Sequence, residues 1–239
     1  MYKRRDRITR NIIETLKCLS KRIYIPRKGR AEKQNPTPDQ MQAVNERDAE
    51  DKLRLIIDNN FYVDDFYLTF TYSELSDPLA AKKTMRNFMR RLAYFYTKRG
   101  KILKYILVTE YKKRIHHHIL INQFVELTTS VLRKLWPYGW AKKESYGGTA
   151  EDAKKIASYF IKEKKSAFYQ DQDKFKKRWS CSENLKKPIE HNRIIKAKEW
   201  SSTIKVPHGY YLDTDSVRIG VNHAGYPYQF YRVIKVRSG

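Results

Sequence analysis

The residues with the most chemistry to offer are three consecutive histidines, His116 to His118, inside the stretch RIHHHILIN (114–122). The apolar residues around them place them in a β-strand, where successive side chains point to opposite faces. His116 and His118 then share one face, and His117 points the other way with Ile115, Ile119 and Ile121. Two imidazoles side by side on a sheet suit a divalent metal. A three-residue turn centred on Lys113 sets Glu110 opposite His116 and on the same face, as a third ligand. A register slipped by one residue turns Glu110 away. The shifted reading, with only His117 in the site, exposes three isoleucines that look like core. A single histidine is more often a satisfied surface or core residue. A pair on one face, beside a carboxylate in a chain with six histidines, favours the metal.

Tyr159 and Lys162 form a second piece. At i and i+3 on a helix they share a face, and Lys155 lies one turn earlier. A tyrosine is a poor nucleophile at its ordinary pKa of about 10. A metal that polarises a phosphate, and a lysine that stabilises the anion, remedy this. The plain alternative is a tyrosine on the rim of the core and a lysine reaching into water. The Tyr-x-x-Lys spacing is common on its own, and its weight comes from lying downstream of the histidine strand. Arg114, Thr69 and Thr71 are placed to touch a bound nucleic acid. For the two threonines an ordinary strand role is an equally good reading. Trp136 reads as core around Pro137 in preference to a base-stacking ring, and so does Trp140. His191, His208 and His223 belong to no pattern.

The elements that must position these groups follow from periodicity. Residues 39–58 read as a helix, with Thr37 as cap and Pro38 at its first position. Phe66–Tyr72 alternates strictly, with Phe66, Leu68, Phe70 and Tyr72 on one face. Residues 79–98 carry Met85, Phe88, Met89, Leu92 and Tyr96 at helical spacing, and Gly100 ends them. The apolar runs 102–109 and 115–121 flank a charged turn at Lys112–Arg114 and read as a hairpin. Short helices are expected at 127–135 and 150–164, the second opened by a capping box of Thr149 and Asp152. One more hairpin is expected around Asn222–Gly225. The order implies an α+β fold, an antiparallel sheet with helices mainly on one face. The expected divisions are a basic arm at 1–36, a catalytic domain at 37–165 and a partly basic C-terminal extension at 166–239.

The 239 residues hold 50 Lys and Arg against 26 Asp and Glu, a formal charge of +24. A surplus of this size points to nucleic acid, whose backbone exchanges counterions for Lys and Arg. The 13% of aromatic residues, interleaved with basic ones, suits single strands with bases free to stack. No apolar run approaches a bilayer span, and the basic N-terminus lacks the apolar stretch of a signal peptide. Two distant cysteines, Cys18 and Cys181, build neither a disulfide framework nor a zinc pattern, which fits a reducing cytosol. There is no GxxxxGK[ST] run, hence no P-loop helicase.

Three motifs in order resemble the HUH endonuclease superfamily, and within it the rolling-circle replication initiators of phages and plasmids. They are the strand YLTFTY (67–72), the His-x-His strand RIHHHILIN and the helical SYFIKEK (158–164). LWPYGW (135–140) and RWSCSENLKKP (178–188) are also similar to these initiators. NERDAEDKLRLIIDNNF (45–61) resembles the lead-in of replication-associated proteins from Gram-positive bacteria and their phages. The resemblance implies a site-specific nickase acting on single-stranded origin DNA. His116, His118 and Glu110 would hold Mg²⁺ or Mn²⁺, Tyr159 would keep the 5′ end as a phosphotyrosine, and Lys162 would assist at the phosphate. It implies a host or element helicase and polymerase as partners, no membrane, and a bacterial host cytoplasm. The middle histidine departs from the usual apolar residue, and only one tyrosine stands in the third motif. The rivals are a relaxase or single-tyrosine transposase of the same superfamily, and a non-catalytic nucleic-acid-binding protein.

Overall fold

The computed structural model describes residues 1–19, 35–74, 77–111, 114–162, 179–197 and 199–236. Tyr169, the turn residues Lys112 and Lys113, and most of the expected linker at 26–38 lie outside them. The elements run β1 (Tyr2–Ile8), β2 (Ile12–Cys18), α1 (Pro38–Asn60), β3 (Phe66–Thr71), α2 (Pro78–Thr97), β4 (Tyr105–Tyr111) and β5 (Ile115–Ile121). They continue with α3 (Thr129–Leu135), β6 (Ala141–Ser145), α4 (Ala150–Lys162), β7 (Ser180–Cys181), β8 (Ile189–Ile195), β9 (Tyr210–Val221) and β10 (Pro227–Lys235). The fold is α+β, with two five-stranded antiparallel sheets rather than the one expected. The chain divides into two compact units, residues 60–186 and residues 1–59 with 187–239.

The unit 60–186 is built on a sheet of order β6-β3-β5-β4-β7. Side-chain alternation gives the sheet two different faces. Leu68 and Phe70 of β3 join Ile119 and Ile121 of β5 in a core with Met85, Phe88, Leu92 and Tyr96 of α2 and Leu132 of α3. This core also buries Trp136, whose indole N–H donates to Thr71 O at 3.1 Å. Trp140 is exposed instead. The helix α2 starts where Asp77 accepts from Ala80 N and Pro78 fits the first turn. Past its end, Gly100 adopts a positive φ of 68°. The opposite sheet face carries Tyr67, Thr69, His118 and Glu110 and meets α4, where Tyr67 stacks on Phe160.

The other unit has the order β8-β1-β2-β10-β9. Residues of the expected basic arm are strands here: β1 and β2 form an antiparallel hairpin, and β2 pairs with β10. Apolar alternation fails to reveal β1 because its inward positions are charged. Asp6 is buried, accepting from Thr15, Arg4 and Arg193. On the face bearing Glu14 and Arg232, Glu14 pairs with Arg7 and Arg232, and Arg232 also reaches Asp51 of α1. The helix α1, read from the sequence as a lead-in to the catalytic domain, belongs to this unit up to Asn59. The expected hairpin near Asn222 is β9–β10. No helix among the described residues is long and apolar enough to cross a membrane.

Candidate active site

The three histidines of β5 meet three environments, as the alternation of a strand requires. His117 points into the core and is fully buried. Its Nε2 lies 2.9 Å from Tyr72 Oη and its Nδ1 2.9 Å from Thr109 Oγ1. Tyr72 donates its only proton to Ala81 O, so Nε2–H donates to Tyr72 and Nδ1 accepts from Thr109. Burial pushes the His117 imidazole down to about 3, so the ring is neutral at pH 7. His117 thus ties β3, β4 and the first turn of α2 together and takes no part in the site.

His118 points to the opposite face. Its Nδ1 is 3.1 Å from Tyr67 Oη and 3.4 Å from Thr69 Oγ1. Its Nε2 is 3.1 Å from Tyr159 Oη and 3.5 Å from Glu110 Oε2. Tyr159 Oη in turn donates to Glu110 Oε2 at 3.0 Å. Burial lowers the pKa of His118 and, with His116 adding to it, outweighs the opposing pull of Glu110, which leaves the ring neutral. Burial, with Tyr159 and Glu144 nearby, raises the pKa of Tyr67, which therefore keeps its proton as a donor. One assignment satisfies the whole set: Tyr67 O–H donates to Nδ1, Nε2–H donates to Tyr159 Oη, and Tyr159 O–H donates to Glu110. The phenol oxygen is held between a proton acceptor and a proton donor.

The backbone around these groups explains the placement. Glu110 pairs with His116 in the β4–β5 register, the pairing expected from a turn centred on Lys113. Val108 stands opposite His118, so Glu110 reaches His118 diagonally along the face. Thr69 and Thr71 of β3 pair with His118 and His116. The start of α4 is fixed by a capping box in which Asp152 N donates to Thr149 Oγ1 at 2.8 Å and Thr149 N donates to Asp152 Oδ2 at 3.1 Å. Just before it, Gly148 has φ +71° and packs against the backbone of Tyr62 and Val63. Tyr159 follows about three turns later.

The structure brings together His118, Glu110 and Tyr159, with Thr69 at the edge of the cluster. His116 is half-exposed, its ring centre 6.4 Å from that of His118. Lys155 and Lys162 are exposed on α4, and Arg114 is exposed at the start of β5. Among the described residues, no three His, Cys, Asp or Glu are gathered closely enough to hold a metal ion. The donor chemistry of His118 and Glu110 nonetheless fits a divalent ion, and His116 supplies a third donor on the same face. Tyr67 is the residue that reasoning from sequence passed over. Its signal was the alternation that singled out Thr69 and Thr71, since all three share a face of β3.

Residues 65–166 match the family model of the replication-associated protein ORF2. No curated protein and no solved structure matches the chain. The matched span runs from β3 to α4 and contains Tyr67, Glu110, His116, His118 and Tyr159, so every residue of the cluster lies in the stretch that is similar to replication proteins.

Proposed function

We propose that this chain initiates replication by cutting one strand of DNA at an origin and holding the cut end on Tyr159. The observation that carries the reading is the Tyr159 hydroxyl, seated 3.0 Å from the Glu110 carboxylate and 3.1 Å from the His118 imidazole. The match of this same segment to replication-associated proteins supports it.

The chemistry is a phosphoryl transfer in which Tyr159 Oη forms a bond to phosphorus and the bond to the 3′ oxygen breaks. The phenol proton passes to Glu110, the acceptor it already faces. The departing 3′ oxygen takes up a proton and becomes a free hydroxyl primer, while the 5′ phosphate stays esterified to Tyr159. Attack by a 3′ hydroxyl on that ester reverses the step and rejoins the strand. Tyr67 holds the His118 ring by its Nδ1 and so sets which edge faces the tyrosine. Lys155 and Lys162, four residues before and three after Tyr159, are cations for the phosphate. Thr69, Thr71 and Arg114 border the face on which the strand would lie. Mn²⁺ or Mg²⁺, for which His116, His118 and Glu110 have the donors, would supply polarisation of a phosphate oxygen when bound. The geometry follows the HUH pattern with a single nucleophile. Strand opening is left to a helicase and copying to a polymerase, in the cytoplasm of the host.

Incubating the protein with labelled single-stranded origin DNA, with and without Mn²⁺, and running a denaturing gel tests the reading. The expected result is a metal-dependent adduct that Tyr159→Phe abolishes without loss of salt-sensitive binding. An adduct that survives the substitution moves the nucleophile elsewhere. No adduct and no nick on the correct origin returns the chain to a non-catalytic nucleic-acid binder, a reading that its charge of +24 also favours. Relaxase and transposase share this chemistry and are separated by whether the nicked origin primes replication.

A further inference from the structure

The helix α2 has an outward side that the proposed catalysis does not use. An open groove of roughly 1200 Å³ runs along it, lined by Asn87, Arg90, Arg91, Tyr94, Lys98 and Arg99. From Lys82 to Lys101 the chain carries eight Lys and Arg and no Asp or Glu. At about 100° per residue, Arg90, Tyr94 and Lys98 fall on one stripe of the helix, two cations with an aromatic ring between them. The Tyr94 ring is 66% exposed, although a ring of this size normally finds cover. Two guanidinium groups are held in place by their neighbours. Arg99 lies 3.9 Å over the Phe95 ring and donates to Glu126 at 2.6 Å, and Arg91 donates to Leu135 O at 3.0 Å. The groove is on the far side of the sheet from Tyr159, since α2 packs on the face of Leu68, Phe70, Ile119 and Ile121, whereas Thr69 and His118 point away from it.

We propose that this groove is a second binding surface for single-stranded nucleic acid, separate from the catalytic face. Arg90, Arg91 and Lys98 take the phosphates, and Tyr94 is the platform on which a base stacks. An exposed ring among cations serves unpaired bases, whose faces are open, whereas a duplex hides them and meets only the charges. The proposal asks only for binding and does not rest on the nicking reading. A strand that enters or leaves the site around Tyr159 would have a place to be held on the other side of the sheet.

The test uses the full-length chain and a fluorescent oligothymidine of about 20 nucleotides, long enough for one such site. Arg90→Glu with Lys98→Glu is expected to weaken binding at least about tenfold and to make its dependence on salt shallower. Tyr94→Ala is expected to weaken it about tenfold with the salt slope unchanged, because stacking carries no charge. A control pair, Lys3→Glu with Lys235→Glu, makes the same charge change at two exposed positions of the other unit and is expected to have a smaller effect. All four positions changed in charge are exposed, and a thermal melt of each variant confirms folding. An oligonucleotide carrying 5-iodouracil is expected to cross-link at Tyr94. The proposal is overturned if the control pair weakens binding as much as the groove pair. It is equally overturned if the cross-links fall elsewhere, or if duplex is bound more tightly than single strand and loses as much in the groove variants.

Discussion

Two neighbouring histidines of one strand have opposite tasks, and substitution separates them. His117 bonds Tyr72 and Thr109 in a dry environment, so His117→Ala leaves two hydroxyls without a partner and opens a cavity. A loss of about 2–4 kcal/mol is expected, read from urea unfolding. His118→Ala is expected to cost about 1 kcal/mol in the same experiment, because its ring borders solvent on the site face, yet to abolish the adduct. Equal stability losses would contradict the division of roles. Tyr67→Phe keeps the stack on His118 and Phe160 and removes only the hydroxyl on Nδ1. Adduct formation is expected to slow by about tenfold to a hundredfold with no change in the melting temperature, as found for groups that orient a site residue. The facing of the histidines was legible in the sequence, because isoleucines flank His117 at a period of two. That His118, and not His116, meets Tyr159 was not, because it depends on a diagonal reach between strands and on where α4 crosses the sheet.

The element that decides whether Tyr159 reaches the sheet is α4, and its position is set where it begins. Gly148 sits in the left-handed region, and a Cβ there would collide with the backbone at Val63. Gly148→Ala therefore combines backbone strain with a clash that no side-chain rotation relieves. A loss of about 2–4 kcal/mol in unfolding and a large drop in adduct yield are expected. Retention of wild-type adduct by this variant would show that α4 does not take its position from this loop. Helices α1 to α4 and the strands β3 to β5 were legible because apolar residues recur at 3.6 or 2 along them. The strands β1 and β8 were not. In β1, Arg4, Arg5, Asp6 and Arg7 stand in a row, and one of them, Asp6, is buried by ionic partners. In β8, an edge strand, six of seven side chains are exposed, so no buried face marks it.

At the scale of the molecule, one unit is inserted in the other. The chain leaves the first unit after Asn59 and returns at Lys187. The ends of the inserted unit meet, Asn60 Nδ2 donating to Lys186 O at 2.8 Å and Lys186 N to Asn60 Oδ1 at 2.7 Å. The two units are held together internally by different means. Residues 60–186 close an aromatic and aliphatic core, whereas the outer unit buries charge: Glu14, Asp51 and Asp213 face Arg232, joined by Arg54 and Arg218. Such a network contributes little over apolar packing while intact, and costs about 3–5 kcal/mol when one partner is lost. Burial alone would raise the pKa of Asp51, but Arg232 and Arg218 outweigh it and hold the carboxyl below its usual range. For Asp6, burial is likewise outweighed, by Thr15, Arg193 and Arg4. A folded pKa below the unfolded one means that the unfolded chain binds protons first as pH falls. The stabilisation is complete above the ordinary aspartate pKa of about 4 and drains away as pH drops through the lower folded values. Hydrogen exchange at about pH 5 and about pH 3, corrected for the intrinsic exchange rates, is expected to show β1, β2 and β10 losing protection at the lower pH. Asp51→Asn is expected to lose that protection already at about pH 5, because Arg232 and Arg218 are then short of a carboxylate inside the unit. Undiminished protection of these strands in both experiments would mean that apolar contacts, and not the ion network, hold the outer unit.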